Sequence, residues 1–135
     1  MLSIRKPPSK LNRRRAAQEQ AIADFSAAAA RYLNTILGDV EIAGLLSGRG
    51  YGTARLAEGC RLQQRLQTVI AERQTLLELP SVVGAYHNVV GSEAAKATAD
   101  RNAAYEDLKS YMKNLKNSAA LALRQRPDLL KKLAG

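Results

Sequence analysis

Alanine restricts the fold of this chain more than any other feature of the sequence. It occurs 23 times in 135 residues, whereas aromatic residues make up 4% of the chain and tryptophan is absent. Alanine has the highest helix propensity, and the aromatic and β-branched residues that favour strands are sparse. The composition therefore predicts an all-α protein, and the length is that of one domain with its own core.

Apolar residues spaced three and four positions apart predict three long helices. In the first, Ile22, Ala29 and Ile36 share one face. In the third, Leu108 and Leu115 belong to a seam of alternating three- and four-residue steps, which is typical of bundle packing. The predicted long helices cover about residues 10–37, 53–79 and 92–124, and short helices are predicted near 40–46 and 128–133.

Several residues mark where these helices begin and end. We expect Gly38 to end the first long helix in a left-handed conformation and Asp39 to cap the short helix that follows. Thr53 is the expected N-cap of the second long helix, and Pro80 closes that helix. For residues 80–92 three conformations remain open: a loop, a short helix, or the first turns of the third long helix.

The connections between the long helices are short enough to predict an antiparallel, up-down-up bundle over residues 10–135. Residues 1–9 contain Pro7 and Pro8 without helical periodicity, which predicts a flexible basic tail. Burial stabilises by about 25 cal/mol per Å² of apolar area, so an alanine-rich core contributes less per residue than a leucine-rich one. Completion of the bundle by dimerisation is therefore an open alternative.

The end of the chain carries a recognisable pattern. From Ala103 onward a helix bearing tyrosines and leucines leads to an Arg-Pro-acid-Leu-Leu turn, and the sequence closes as NSAALALRQRPDLLKKLAG. This last third resembles the C-terminal part of uncharacterised bacterial α-helical-bundle proteins. The resemblance implies a helical bundle and brings no activity with it.

The positive charge is concentrated at the two ends of the sequence. The net charge is +9, with +6 in residues 1–15, +6 in residues 109–135 and −3 between them. Basic ends of this kind predict contacts to phosphates without sequence preference, and ordinary solvated faces are the alternative. The candidate phosphate contacts are Arg5, Lys6, Arg13, Arg14 and Arg15 at the start of the chain, and Lys109, Lys113, Lys116 and Arg124 in a stripe on the third long helix.

The stretch SGRGYGTAR, residues 47–55, combines three glycines with two arginines. Its spacing matches neither the dinucleotide-binding fingerprint nor a P-loop, since no lysine precedes Thr53. Two interpretations remain. Arg49 and Arg55 hold an anion at the start of a helix, or the glycines form an interhelical corner with Tyr51 folded onto the bundle.

No group of residues with catalytic or metal-binding spacing is recognisable in the sequence. Cys60 and His87 are the only residues of their types. This excludes zinc clusters of cysteine and histidine, and the Glu-x-x-His pairs of di-iron bundles do not occur. Arg73 lies on the apolar side of the second long helix, where it either pairs with a carboxylate or faces a partner. We therefore expect no enzyme, no cofactor and no metal.

The sequence also predicts a compartment and two functions. A single cysteine and the lack of any long apolar run indicate a cytoplasmic protein without a membrane segment. The first functional hypothesis is a non-catalytic helical-bundle interaction or structural protein that self-associates or binds another protein. The second is a basic nucleic-acid-associated protein that uses the N-terminal tail and the lysine stripe.

Overall fold

The computed structural model describes residues 10–78 and 85–135, and these form an all-α bundle. The prediction of three long helices and two short ones is confirmed within these ranges. The helices are α1 (Lys10–Leu37), α2 (Val40–Ser47), α3 (Thr53–Leu77), α4 (Ala85–Ala122) and α5 (Pro127–Ala134). No helix among the described residues combines the length and hydropathy needed to cross a membrane.

The third long helix begins earlier than the predicted position 92. Helix α4 starts at Ala85, so residues 85–91 are its first turns and Gly91 lies within the helix. A glycine inside a helix costs about 1 kcal/mol relative to alanine, which a long alanine-rich helix tolerates. The predicted last residue of the second helix, residue 79, lies outside the described residues, and α3 ends at Leu77.

Helix α1 ends at Leu37 as predicted, but two details of the predicted helix ends are wrong. Among the described residues only Gly50 and Gly135 have positive φ, so Gly38 does not end α1 in a left-handed conformation. The N-cap of α3 is Gly52, which offers no side-chain acceptor, and Thr53 is the first helical residue.

The predicted cap of α2 is confirmed. Asp39 has an extended backbone, and this extended residue separates α1 from α2. Its Oδ1 accepts hydrogen bonds from the backbone N–H groups of Glu41 at 3.0 Å and Ile42 at 3.1 Å. Two of the orphan N–H groups at the start of the helix are satisfied in this way.

Helix α3 packs against both α1 and α4 and runs antiparallel to each of them. Arg73 near the end of α3 lies beside Glu19 of α1 and Thr98 of α4. Earlier in α3, Arg65 reaches Asp107 further along α4. Helices α1 and α4 therefore run parallel, as the up-down-up arrangement requires. The side chains at the centre are almost fully buried and come from all three long helices: Ile22, Leu33, Ile36, Leu66, Leu108, Met112 and Leu115.

A polar contact lies inside the α1–α3 interface. Ser26 is fully buried, and its hydroxyl group donates a hydrogen bond to Oε1 of Gln67 at 3.1 Å. The amide of Gln63 donates to Oγ of Ser26, also at 3.1 Å. The buried hydroxyl thus has both a donor and an acceptor partner, as buried polar groups require.

Helices α2 and α5 close one end of the bundle. Ile42 and Leu46 of α2 are fully buried, and Leu129 and Leu133 of α5 are nearly so. An ion pair also connects α5 to the N-cap residue of α2, since Nζ of Lys132 lies 2.6 Å from Oδ2 of Asp39. The opposite end of the bundle holds the first described turns of α1, the end of α3 and the beginning of α4.

Candidate functional site

The glycine-rich connection forms a packed corner. Tyr51 is only 6% exposed, and its ring meets the ring of Tyr111 edge to face at a centroid distance of 6.1 Å. Gly50 has φ +87°, a conformation that side-chain-bearing residues rarely adopt, and this allows the chain to turn into α3. The interpretation in which Tyr51 folds onto the bundle is confirmed.

Arg55 of α3 contacts both tyrosines of this pair. The hydroxyl group of Tyr111 donates a 2.7 Å hydrogen bond to the carbonyl oxygen of Arg55, and burial raises the pKa of Tyr111 to about 12. The guanidinium group of Arg55 lies 5.4 Å from the ring centre of Tyr51 and pairs with Glu58 at 3.0 Å. Arg55 is thus engaged within the corner. Arg49 lines a surface groove together with Leu45 and Leu121, and Arg55 does not line that groove. Anion binding by Arg49 and Arg55 therefore stays a prediction.

An exposed apolar surface lies at the α2 end of the bundle, and we call it the α2 patch. It consists of Val40, Leu45 and Leu121, whose exposed fractions are 90%, 38% and 53%. Two shallow grooves of about 320 and 410 Å³ cross this surface and share Leu45 and Arg126. Val40 immediately follows the cap residue of α2, so the turn from α1 into α2 points this side chain away from the core.

Charged residues border the α2 patch. Arg126 forms ion pairs with Glu41 at 2.8 Å and Asp128 at 3.0 Å, and its guanidinium group lowers the pKa of the Asp128 carboxyl. Arg49 and Arg124 line the same groove and are exposed, and neither forms an ion pair within the described part of the chain. The border therefore holds three positive and two negative charges, which is close to balance on a chain of net charge +9.

The lysine stripe lies on the surface of α4. Its four predicted members, Lys109, Lys113, Lys116 and Arg124, are all exposed, but α4 ends at Ala122 and not at residue 124, so Arg124 lies in the turn after the helix. Lys109 pairs with Glu106 at 3.1 Å, and its ammonium group lies 4.8 Å from the ring centre of Tyr105. Lys116 lies 5.5 Å from the ring centre of Tyr32 and lines a groove of about 570 Å³ between α1 and α5, together with Arg31.

The other candidate phosphate contacts lie apart from the lysine stripe. Arg13, Arg14 and Arg15 are exposed in the first turns of α1, at the opposite end of the bundle from Arg124. The structure therefore does not bring these two groups of cations together in one copy of the chain. Arg5 and Lys6 lie outside the described residues.

Arg73 pairs within the chain. Its Nη1 lies 2.9 Å from Oε1 of Glu19, and its Nε donates a 2.8 Å hydrogen bond to the hydroxyl of Thr98. The side chain is 15% exposed, at the edge of the core. These contacts provide the carboxylate partner that sequence reasoning considered, while a role of Arg73 at an interface stays a prediction.

Sequence reasoning missed a second arginine beside this pair. Arg101 is only 5% exposed, and its Nε and Nη2 donate to Oδ1 of the adjacent Asn102, at 3.3 and 3.0 Å. Its Nη1 is buried and has no hydrogen-bond partner among the described residues. Burial, and then the charge of Arg73, lower the pKa of Arg101. The sequence does contain a signal for this burial. Arg101 lies four residues before Tyr105, which itself lies three before Leu108, so Arg101 continues the apolar seam of α4 toward the start of the helix.

The remaining polar residues do not assemble a reactive centre within the part of the chain described. No group of three His, Cys, Asp or Glu residues there could hold a metal ion. Cys60 is a half-buried free thiol, and the side chain of His87 lies outside the described residues. Glu106 and Asp107 point to different partners, Lys109 and Arg65.

Comparison with known proteins adds no assignment. No protein-family model matches the chain, and neither curated proteins nor solved structures give a match.

Proposed function

We propose that this protein is a non-catalytic helical-bundle interaction protein that self-associates through the α2 patch. The observation that carries the proposal is the exposure of three large apolar side chains, Val40, Leu45 and Leu121, on one surface with grooves between them. Contiguous apolar surface of this kind on a folded protein marks interaction sites. Single exposed apolar residues elsewhere need no such explanation.

The charges around the α2 patch favour a second copy of the chain as the partner. In a two-fold symmetric contact each surface meets its own copy, so a self-complementary surface must carry both signs of charge. Arg49 and Arg124 supply exposed positive groups, and Glu41 and Asp128, which pair with Arg126 within one chain, supply exposed negative ones. A surface with only cations would repel its copy, whereas this arrangement allows Arg–carboxylate pairs across the two-fold axis.

The proposal predicts how self-association responds to salt. Two copies of a chain with net charge +9 repel each other at long range, and salt screens that repulsion. We therefore expect the dimer to persist or strengthen as salt is raised. Binding to a nucleic acid shows the opposite trend, because salt weakens phosphate contacts steeply.

Sedimentation equilibrium of matched variants tests the proposal. Leu121→Lys places a charge in the α2 patch and should abolish the dimer. Leu77→Lys is the control, because Leu77 is 50% exposed against 53% for Leu121 and lies near the end of α3, at the opposite end of the bundle. A wild-type chain that stays monomeric at the highest soluble concentration contradicts the proposal, as does equal loss of the dimer in both variants.

A second candidate function is non-specific binding of nucleic acid. The specific observation in its favour is the α1–α5 groove, which Arg31 and Lys116 both line, with Lys113 exposed about one turn earlier on α4. Cations of this kind, placed along one helix and an adjacent groove, suit the regularly spaced phosphates of a backbone. The exposed arginines at the start of α1 would contact phosphates separately, as an arm.

Fluorescence anisotropy with a labelled duplex at several salt concentrations tests this second function. Lys113→Gln together with Lys116→Gln should reduce the affinity and the steepness of its salt dependence, because two phosphate contacts are lost. Lys96→Gln is a suitable control, since Lys96 is exposed on α4 outside the stripe. An affinity that is the same in the double variant and the wild type excludes the stripe as the binding surface.

A further inference from the structure

A cluster of three arginines lies at the end of the bundle opposite the α2 patch. Arg15 of α1, Arg73 of α3 and Arg101 of α4 line one groove of about 400 Å³, together with Glu19. All three long helices contribute to this groove, so the packing of the bundle fixes the relative positions of the cations. We call these three arginines and Glu19 the arginine cluster.

Arg101 is the residue of the cluster that the fold leaves unsatisfied. A guanidinium group has five N–H donors and stays charged at any ordinary pH. At 5% exposure it has little access to water, and its bonds go to a single neutral amide oxygen, that of Asn102. The buried Nη1 has no partner within residues 13–78 and 92–135. A buried charge without a counter-ion is costly, and such groups are nearly always paired.

The carboxylate in the groove attracts the charge of Arg101 but does not offset its burial or the repulsion of Arg73, since the pKa of Arg101 is lowered overall. Glu19 accepts from Nη1 of Arg73 at 2.9 Å, so its negative charge is already shared with another cation. Three arginines against one glutamate leave the groove with an excess of two positive charges. An anion with two negative charges would neutralise this excess and supply acceptor oxygens for the free Nη1 of Arg101.

We infer that the arginine cluster is a binding site for a small dianionic oxyanion, namely inorganic phosphate or the phosphate group of a small phosphomonoester. Guanidinium groups bind phosphate oxygens with charge-assisted, often bidentate hydrogen bonds. The groove volume lies within the range of small-molecule sites, which leaves room for an organic group attached to the phosphate. This inference is independent of the α2 patch and of self-association.

Thermal unfolding at constant ionic strength tests the inference with inorganic phosphate as the probe and chloride as the reference anion. Wild-type protein should show a saturable rise in Tm with phosphate, because a ligand that binds the folded state stabilises it. A parallel series with glycerol 3-phosphate distinguishes a site for a phosphomonoester from a site for the free phosphate ion. A lower half-saturating concentration for the ester indicates a phosphomonoester site, and equal values indicate a site for the free ion.

Arg101→Met is the decisive variant. It removes the unpaired charge and keeps the length of the apolar stem, so we expect an unchanged or higher Tm without phosphate and no saturable response to phosphate. Arg65→Met is the control, since Arg65 also joins α3 to α4 by pairing with Asp107 and lies outside the cluster. This control should keep the full phosphate response of the wild type.

Glu19→Gln gives an independent check that does not require Arg101 to be changed. Removal of this negative charge should tighten phosphate binding roughly tenfold, as expected for one charge near contact distance in partly screened surroundings. Three results overturn the inference: no saturable response in the wild type, an equal response in Arg101→Met, or weaker binding in Glu19→Gln. In the first of these cases, loss of self-association in Arg101→Met assigns Arg101 to a protein partner.

Discussion

Substitution of Gly59 by alanine tests the packing of α3 on α4. Gly59 is buried in α3, and a Cβ atom at this position would lie 2.3 Å from Cε1, 2.5 Å from Cζ and 2.6 Å from the hydroxyl oxygen of Tyr111. Carbon atoms in contact are normally about 3.5–4.0 Å apart, so the tyrosine ring would have to move by about 1 Å or more.

The surroundings of Tyr111 determine what that movement costs. The residue is 4% exposed, its ring packs on Tyr51, and its hydroxyl donates to the carbonyl oxygen of Arg55. Overpacking of a core costs about 1–3 kcal/mol, and loss of the hydrogen bond costs about 0.5–1.5 kcal/mol. Alanine gains about 1 kcal/mol over glycine in a helix. The net expectation is a loss of about 1–3 kcal/mol in the free energy of unfolding.

Thermal and urea unfolding followed by circular dichroism measure this effect. For a chain of this size, each kcal/mol corresponds to about 3–5 °C in Tm. Gly44→Ala is the matched control, because no atom outside its neighbours and the nearby backbone of its own helix lies within 4 Å of its Cβ position, and its φ is not positive. This control should raise Tm by about 3 °C, whereas Gly59→Ala should lower it.

A second pair of variants, made in a Tyr111→Leu protein, tests whether steric overlap with the ring causes the loss of stability. In a Tyr111→Leu protein the ring is gone, so Gly59→Ala should become neutral or stabilising there. A Gly59→Ala protein as stable as Gly44→Ala would refute the reasoning, because it would mean that Tyr111 moves at no cost. So would an equal loss of stability in the wild-type and Tyr111→Leu backgrounds.

Two further predictions concern pH. The hydrogen bond from Lys132, followed by the backbone N–H of Ile42, lowers the pKa of Asp39 below its usual 3.8. The resulting stability is present above this value and is lost as the pH falls further, so Lys132→Met should flatten the decline of the unfolding free energy in acid, as measured by urea unfolding. At high pH the unfolded chain ionises Tyr111 near its usual value of 10.0, while the folded chain holds the proton to about 12. Stability should therefore fall between these two pH values, and Tyr111→Phe should show a smaller fall; an unchanged fall would contradict the burial of the hydroxyl.

The sequence was sufficient to predict the helices because the relevant signals are local. Alternating apolar steps located α1, and the carboxylate of Asp39 located the start of α2. The sequence alone leaves the start of α4 open among three conformations, because Gly91 lowers the local helix propensity. Tertiary packing outweighs a local propensity of about 1 kcal/mol in a helix of this length.

The candidate sites are harder to predict from the sequence, because each site depends on which helices pack against each other. Arg73 was noticed on its apolar face, but its partner Glu19 lies 54 residues away along the chain. Arg101 was missed because an arginine in a polar stretch of α4 is unremarkable until the bundle buries it. The α2 patch joins Val40 and Leu121, which come from opposite thirds of the sequence.

The buried hydroxyl between α1 and α3 has a consequence for how the helices align. Apolar contacts are non-directional, so a shift of α1 along α3 by a whole turn would still bury apolar side chains. Such a displacement would separate Ser26 from Gln63 and Gln67 and leave the buried hydroxyl of Ser26 without partners. The contact thus favours one alignment of the two helices, and apolar side chains at these three positions would remove that polar preference while keeping the helices packed.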